Sequence, residues 1–351
     1  MSDIGIVASS AYVPIASRSL PQLLAARRTE PATRRARFIN ACFEENLQMH
    51  GISMAAMDTA RARLTAGTIE RCTGVSAVAE EASMEVSEML LRVTRELLHP
   101  GSEAPVPQVD TFVVCHTCLE NDVTVSAACR LQAELRQGQV PFAIGQLQGA
   151  TFLLGLSIAA DLLSTGTEGQ VVVAAAERWT QPYTRLLGTT AVLGDGAGAV
   201  LLQRGCRSGW LLRAIRVVTP PPVGEVYRHL LNEAPLGPDL DGLCALVSET
   251  LRDAQCLPRD IDVLVPHDMC RDLTSRLRRR CGLRSAWRGP ADILDGGYLC
   301  SAEAPVRMHR LLQHATARAG DRMLLWGAGF EGALACAVLE FADEEPPHAS
   351  H

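Results

Sequence analysis

Residues 142–166, FAIGQLQGATFLLGLSIAADLLSTG, open on a short strand pattern from Phe142 to Ile144 and turn through Gly145 and Gly149. They continue as about sixteen residues that are apolar on nearly every side. A helix apolar all round belongs inside a protein, so the stretch predicts a buried central helix whose N-terminus faces the turn. The unbonded N–H groups and positive dipole end at such a terminus favour a thiolate or an oxyanion in the turn before it.

The rest of the chain is consistent with a large α/β core. It has 351 residues, 47% hydrophobic and only 4% aromatic, and is rich in Ala, Leu, Val and Gly. A net charge of −6 and the absence of a basic run interleaved with aromatics argue against nucleic-acid binding. All 33 basic side chains are Arg, which removes any Schiff-base or Lys-nucleophile chemistry. The N-terminus lacks a charged segment followed by a long apolar one, and no eighteen-residue apolar run occurs, so a soluble, cytoplasmic protein without a membrane segment is expected. Twelve Cys fall in no disulfide-framework spacing and are read as reduced thiols. The closing EEPPHASH, residues 344–351, reads as a disordered tail.

In chain order, Ile4 to Ala8 predicts a first strand. Arg18 to Leu64, rich in Ala, Arg and Met, predicts a helical insertion. A helix is predicted over Ser83–Leu98, then a Pro/Gly loop, then a strand from Val109, VDTFVV. After the central stretch comes a strand from Gln170 to Ala174. The second half repeats this order. A helix over Leu240–Ala254 precedes IDVLVP at Ile261, ADILDGGYLCSAEAPVRMHRLL from Ala291 answers the central stretch, and GDRMLLWGAG from Gly320 answers GQVVVAAAE from Gly169. The offsets are all about one hundred and fifty residues, which predicts two similar α/β halves, each with a mostly parallel sheet, about a pseudo-twofold axis. Residues 1–205 and 206–343 are the expected halves, with the active cleft where the two buried helices begin.

Several runs resemble the thiolase superfamily: SAACRLQAEL from Ser126, the turn and buried helix after Phe142, LGDGAGAVLL from Leu193, DVLVPH from Asp262, and LLWGAGFEGALACAVLEF from Leu324. Their order and spacing resemble β-ketoacyl-acyl carrier protein synthase III over roughly residues 70–341. The resemblance implies a duplicated, five-layered α/β/α/β/α fold, a dimer, and acyl thioester substrates on coenzyme A or a carrier protein. No cofactor is implied beyond the coenzyme A or phosphopantetheine that belongs to the substrate.

In that family a Cys at the start of the buried helix takes the acyl group, with a His and an Asn assisting. Matching Phe142 and the helix without a gap puts Gln148 where the Cys belongs, and no Cys occurs between Cys129 and Cys206. Gln146 and Thr151 are the other polar residues of the turn, and neither is an activated nucleophile. His267, after Pro266 at a strand end, matches the family's His. Counting back from Pro305, the family's Gly-Asn pair falls on Gly297 and Tyr298, so Tyr298 either donates an O–H to a carbonyl oxygen or fills the cavity.

Four further groups have two readings each. Cys115, His116 and Cys118 form C-H-x-C, but no second Cys/His pair stands at zinc spacing, and the resemblance puts Cys115 and Cys118 beside the substrate tunnel. Cys300 is either a displaced nucleophile or a small buried apolar residue lining the pocket. GDGAGA, Gly194 to Ala199, lacks the Lys and spacing of a phosphate loop, so its glycines are read as permitting close backbone packing, and Gly329 of the GAG run is placed against the substrate. Arg271, Arg276, Arg278, Arg279 and Arg280 form either a solvated helix face or, as in the family, a docking patch for an acidic carrier protein.

Three functions follow from the resemblance and the substituted residues. The first is acyl transfer without a Cys acyl-enzyme, with His267 as general base and helix N–H groups as oxyanion hole, in secondary or fatty-acid-derived metabolism. In the second, Gln148 acts as Gln does in decarboxylating ketosynthase domains, and a malonyl thioester loses carbon dioxide. The third is a catalytically silent subunit paired with an active ketosynthase homologue, so the assembly is a homodimer or a heterodimer.

Overall fold

The computed structural model describes residues 4–26, 34–49, 51–53, 55, 59, 62–99, 107–120, 122, 124–166, 169–180, 184–219, 239–267, 269–283, 296–314, 316–330 and 332–343. In chain order the strands are β1 (Ile4–Tyr12), β2 (Ser17–Ser19), β3 (Ala77–Ala79), β4 (Thr111–Cys115), β5 (Phe142–Ile144), β6 (Gln170–Glu177) and β7 (Leu186–Leu187). They continue as β8 (Ala191–Val192), β9 (Gly196–Arg204), β10 (Ser208–Val218), β11 (Val263–Leu264), β12 (Arg322–Ala328) and β13 (Leu334–Asp343).

Nine of these strands form one sheet in the order β11-β12-β13-β10-β1-β9-β6-β4-β5. The duplication is written into its pairings. From β1 outward, β9 and β6 pair antiparallel and β4 parallel. From β10 outward, β13 and β12 pair antiparallel and β11 parallel. The two series meet where β1 and β10 pair antiparallel, Gly5 opposite Leu211 and Ile6 opposite Trp210. Each half is therefore mixed rather than mostly parallel. The reason is that β9 and β13 fold back beside β6 and β12, and antiparallel neighbours need no helical crossover. The stretch 291–295 of the predicted repeat, most of the loop before Val109 and the tail 344–351 lie outside the described residues.

Helix Thr151–Thr165 and its counterpart Glu303–His314 form the central layer, each packed on strands of both halves. Phe152, Leu153, Leu156, Ala159 and Leu163 are fully buried, as the all-round apolar pattern requires. Helix Val86–Leu98 covers the first half and helix Leu240–Asp253 the second. The first of these begins later than the sequence pattern predicts. A capping box between Glu85 and Glu88 starts it, while Glu81 takes the N–H groups of Ser83 and Met84 at 2.9 and 3.0 Å.

In the segment 18–64, helices Leu20–Ala26 and Arg34–Met49 are described. The chain returns through helix Ala66–Thr73 to β3, which pairs with β2. Val78 then bridges Gly296, and Arg271 donates its N–H to the Cys72 carbonyl at 3.0 Å, so this region covers the strand-like run 296–298. No helix among the described residues is long and apolar enough to cross a membrane.

Candidate active site

Two turns of the same shape lead into the two central helices. Gln148 has φ 45° and starts a 3-10 turn, Gln148–Ala150, before Thr151. Cys300 has φ 45° and starts a 3-10 turn, Cys300–Ala302, before Glu303. A positive φ is rare for side-chain-bearing residues, and holding one at each helix entry aims the side chain away from the helix axis.

At the first turn the Gln148 carboxamide is 8% exposed and tied at both ends. Its Oε1 accepts the Phe330 N–H at 3.0 Å, and its Nε2 donates to the Gln146 carbonyl at 3.0 Å. Gly329 lies against it, since a Cβ there would stand 2.7 Å from that Oε1. The Gly329 N–H is itself spent on the Ala333 carbonyl at 2.7 Å. Thr151 is fully buried, and its hydroxyl meets no hydrogen-bond partner among the described residues.

His267 reaches the same turn from the end of the β11 segment. It is fully buried against Trp326 and Tyr298, with ring centroids 5.0 and 5.2 Å away. The Ala328 N–H donates to its Nε2 at 3.3 Å. The Tyr298 hydroxyl donates to the Ala328 carbonyl at 3.1 Å and stands 3.2 Å from the same Nε2. Burial above all, seconded by Cys300, Glu303 and Glu177, holds the Tyr298 phenol well above its ordinary range, so it stays a neutral donor.

Gly149 makes this packing possible. A Cβ on it would lie 2.2 Å from His267 Cε1 and 2.4 Å from the Tyr298 hydroxyl. The sequence thus brings Gln148, His267, Tyr298, Thr151 and Gly329 to one point. Tyr298 does fill the space over Gly149, which is the second of its two readings, and it keeps its O–H free of charge, which serves the first.

The cysteines stand elsewhere. Cys115 points its thiol at the Thr151 carbonyl, 3.7 Å away, on the far side of the helix entry. Cys118 and Cys300 are fully buried beside the Glu177 carboxylate, and burial together with that charge pushes both thiols well up. A thiol raised in this way is a poor source of thiolate, which weighs against the displaced-nucleophile reading of Cys300. The apolar reading is the one its surroundings fit.

Residues that the sequence did not mark hold the second turn. Glu177, fully buried, accepts the N–H groups of Thr117 and Cys118 at 3.0 Å and the Ser301 hydroxyl at 2.6 Å. Glu303 accepts the Leu299 N–H at 3.0 Å and pairs with Arg307. Asp195, inside GDGAGA, forms a bidentate pair with Arg185 at 2.7 Å and also takes the N–H groups of Glu81 and Trp179. The glycines beside it do permit close packing. A Cβ on Gly194 would sit 1.7 Å from the Gly296 carbonyl oxygen. An acid inside a glycine run next to an Arg ten residues earlier was the available signal.

The five arginines are all exposed, on or just before helix Leu273–Cys281. Arg280 pairs with Asp241, and Arg276, Arg278 and Arg279 make no ion pair among the described residues. His116 lines a separate cleft of about 240 Å³ with Leu119, Glu120 and Ser126.

Comparison with known proteins agrees with this architecture. Residues 146–217 match 3-oxoacyl-[acyl-carrier-protein] synthase III, and residues 251–341 match the C-terminal part of the same family. A relative from Streptomyces coelicolor, β-ketoacyl-[acyl-carrier-protein] synthase III 3, is 26% identical over 297 residues, covering 77% of this chain and 86% of that one. Among solved structures, ChlB3, described as an acyltransferase, superposes with a TM-score of 0.72 at 19% identity, covering 97% of this chain and 98% of that one. The 3-oxoacyl-[acyl-carrier-protein] synthase III of Aquifex aeolicus superposes with a TM-score of 0.69 at 18% identity, covering 96% of this chain and all of the other. These superpositions establish a shared fold.

Proposed function

Because the chain belongs to the thiolase superfamily and is of the β-ketoacyl-acyl carrier protein synthase III type, we propose that it transfers acyl groups directly between substrates, without an acyl-cysteine. The donor is an acyl thioester of coenzyme A or of a carrier protein, in secondary or fatty-acid-derived metabolism. The observation that carries the proposal is the buried His267, whose Nε2 stands 3.2 Å from the Tyr298 hydroxyl, a phenol that burial holds well above its ordinary range.

In this reading Nε2, on release from the Ala328 N–H, takes a proton from the alcohol, amine or carbon acid of the acceptor as it attacks the thioester carbon. It returns that proton to the coenzyme A or pantetheine sulfur as the C–S bond breaks and the thiol leaves. The Tyr298 O–H turns from the Ala328 carbonyl to the thioester oxygen and stabilises its developing charge. The Gly149 N–H, which now serves the Tyr298 hydroxyl, is the helix-turn donor released by the same movement. Substrate entry therefore displaces Tyr298 from above Gly149.

A second reading is favoured by one contact. The Gln148 carboxamide oxygen already holds the Phe330 N–H at 3.0 Å, as an acyl carbonyl in that place would. A site so pre-filled suits decarboxylation of a malonyl thioester, with Tyr298 and His267 facing the enolate. The two readings separate in one experiment on the full chain with acyl- and malonyl-coenzyme A and their carrier-protein forms. Direct transfer gives acyl product on an added acceptor and no covalent adduct by intact mass, whereas decarboxylation gives the acetyl thioester with no acceptor present. A stoichiometric acyl adduct mapped to residues 145–151 would overturn both. No turnover of either thioester, with restored activity of a cysteine-bearing homologue on mixing, would leave the silent-subunit reading in their place.

A further inference from the structure

The second half of the chain holds a thiol pair that takes no part in the site above. Cys244 lies in helix Leu240–Asp253, and Cys281 ends helix Leu273–Cys281. Their sulfurs are 2.9 Å apart, although the residues are 37 positions apart in the chain. Non-bonded heavy atoms ordinarily rest about 3.5–4 Å apart, so this is an approach and not mere packing. A disulfide needs sulfurs about 2.05 Å apart, which leaves under ~1 Å to be covered. Both side chains are half-buried, so a small reagent reaches them while the helices stay packed.

The same two helices are tied a second time at the same level. Arg280, next to Cys281, pairs with Asp241, three residues before Cys244. Leu243, Leu246, Leu273 and Leu277 of the two helices share one buried cluster. The two helices are thus held together at the level of the pair. Of the other thiols of this half, Cys256, Cys300 and Cys336 are buried, which keeps a reagent from them.

We propose that Cys244 and Cys281 form a reversible intramolecular disulfide on exposure to a small-molecule disulfide such as oxidised glutathione. The Cys244 thiolate attacks one sulfur of the reagent, forming a mixed disulfide and releasing one thiolate, which takes up the proton Cys244 gave. Cys281, whose thiol burial pushes up, loses its proton second and attacks the Cys244 sulfur, releasing the second reagent thiol. Two S–H bonds of the protein become one S–S bond, and the reagent disulfide is reduced to two thiols. The bond fixes the helix that carries Arg276, Arg278 and Arg279 to the first helix of the second half.

The test treats the folded full chain with oxidised glutathione, blocks remaining thiols by alkylation, and maps peptides without reduction. The expected result is a cross-link joining the peptides of Cys244 and Cys281, with a mass about 2 Da below the reduced chain, reversed by dithiothreitol. Cys244→Ser and Cys281→Ser should each abolish it and leave the remaining thiol of the pair alkylated or glutathionylated. Recovery of both thiols alkylated in the wild-type chain overturns the proposal, as do stable separate glutathione adducts at both positions or a dominant link to Cys256, Cys270 or Cys336. The wild-type map decides the matter even if a serine variant fails to fold.

Discussion

His267 and Gln148 set opposite limits on the chemistry. In the proposed reading Gln148 takes the place of a nucleophile and cannot act as one, because a carboxamide has no nucleophilic form at neutral pH; its hydrogen bonds to Phe330 and Gln146 hold it in place. His267 is the base of the proposed reaction, its Nε2 3.2 Å from the Tyr298 hydroxyl and 3.3 Å from the Ala328 N–H. Replacing His267 with Ala should lower turnover by about 10² to 10⁴ if it moves a proton or supports the thioester carbonyl, with little change in folding. Wild-type turnover by that variant, assayed with the cognate thioester, would end the enzymatic reading. Both positions were marked by the resemblance to the synthase III family, through the ungapped match of Phe142 and the helix and through the Pro266-His267 pair. The role of Tyr298 was not, because a phenol that donates and one that fills space look alike until Gly149 and the Ala328 carbonyl are seen beside it.

The two helix-entering turns show how one element serves two ends. Each begins at a residue with φ 45° and runs through one 3-10 turn into a central helix. At the first, the donors face the candidate site. At the second, they are consumed by Glu177 and Glu303, so it supports rather than reacts. The GDGAGA loop plays a similar supporting part through Asp195, whose carboxylate is fully buried and bound by Arg185. Removing one partner of a buried pair leaves the other uncompensated. Asp195→Asn should therefore cost about 3–5 kcal/mol in urea unfolding. A loss within about 0.5 kcal/mol, the range of ordinary surface changes, would show that Arg185 finds another partner. The sequence reading took up only the glycines here; the acid inside their run and the Arg ten residues earlier become a pair only when the intervening turn brings them together.

For the whole molecule, the open question is what covers the β5 edge. β5 ends the nine-stranded sheet, and Phe142 and Ile144 on it are only half-buried. Leu154, Ile158 and Leu162, one row of the central helix, are half-buried as well. An uncovered strand edge beside apolar side chains is an aggregation hazard, so a second chain is expected to pair there. Light scattering should report a dimer at micromolar concentration, alone or with a homologue. A monomer mass under both conditions would refute the assignment of this face.

The sequence by itself determined the α/β class and the buried central helix, and by resemblance placed Gln148 at the family's Cys position. Periodicity placed the central helix and its turn, the repeat announced two like halves, and the family's Cys position read Gln without ambiguity. Those features are local, or recur at a constant offset, and so survive in one dimension. Only the tertiary structure decided that both halves share one mixed sheet through the β1–β10 pairing, because the antiparallel return of β9 and β13 depends on which edges meet. It alone also decided that Cys300 and Tyr298 both lose protons less readily than usual, since that rests on burial and on the Glu177 and Glu303 carboxylates that folding brings beside them.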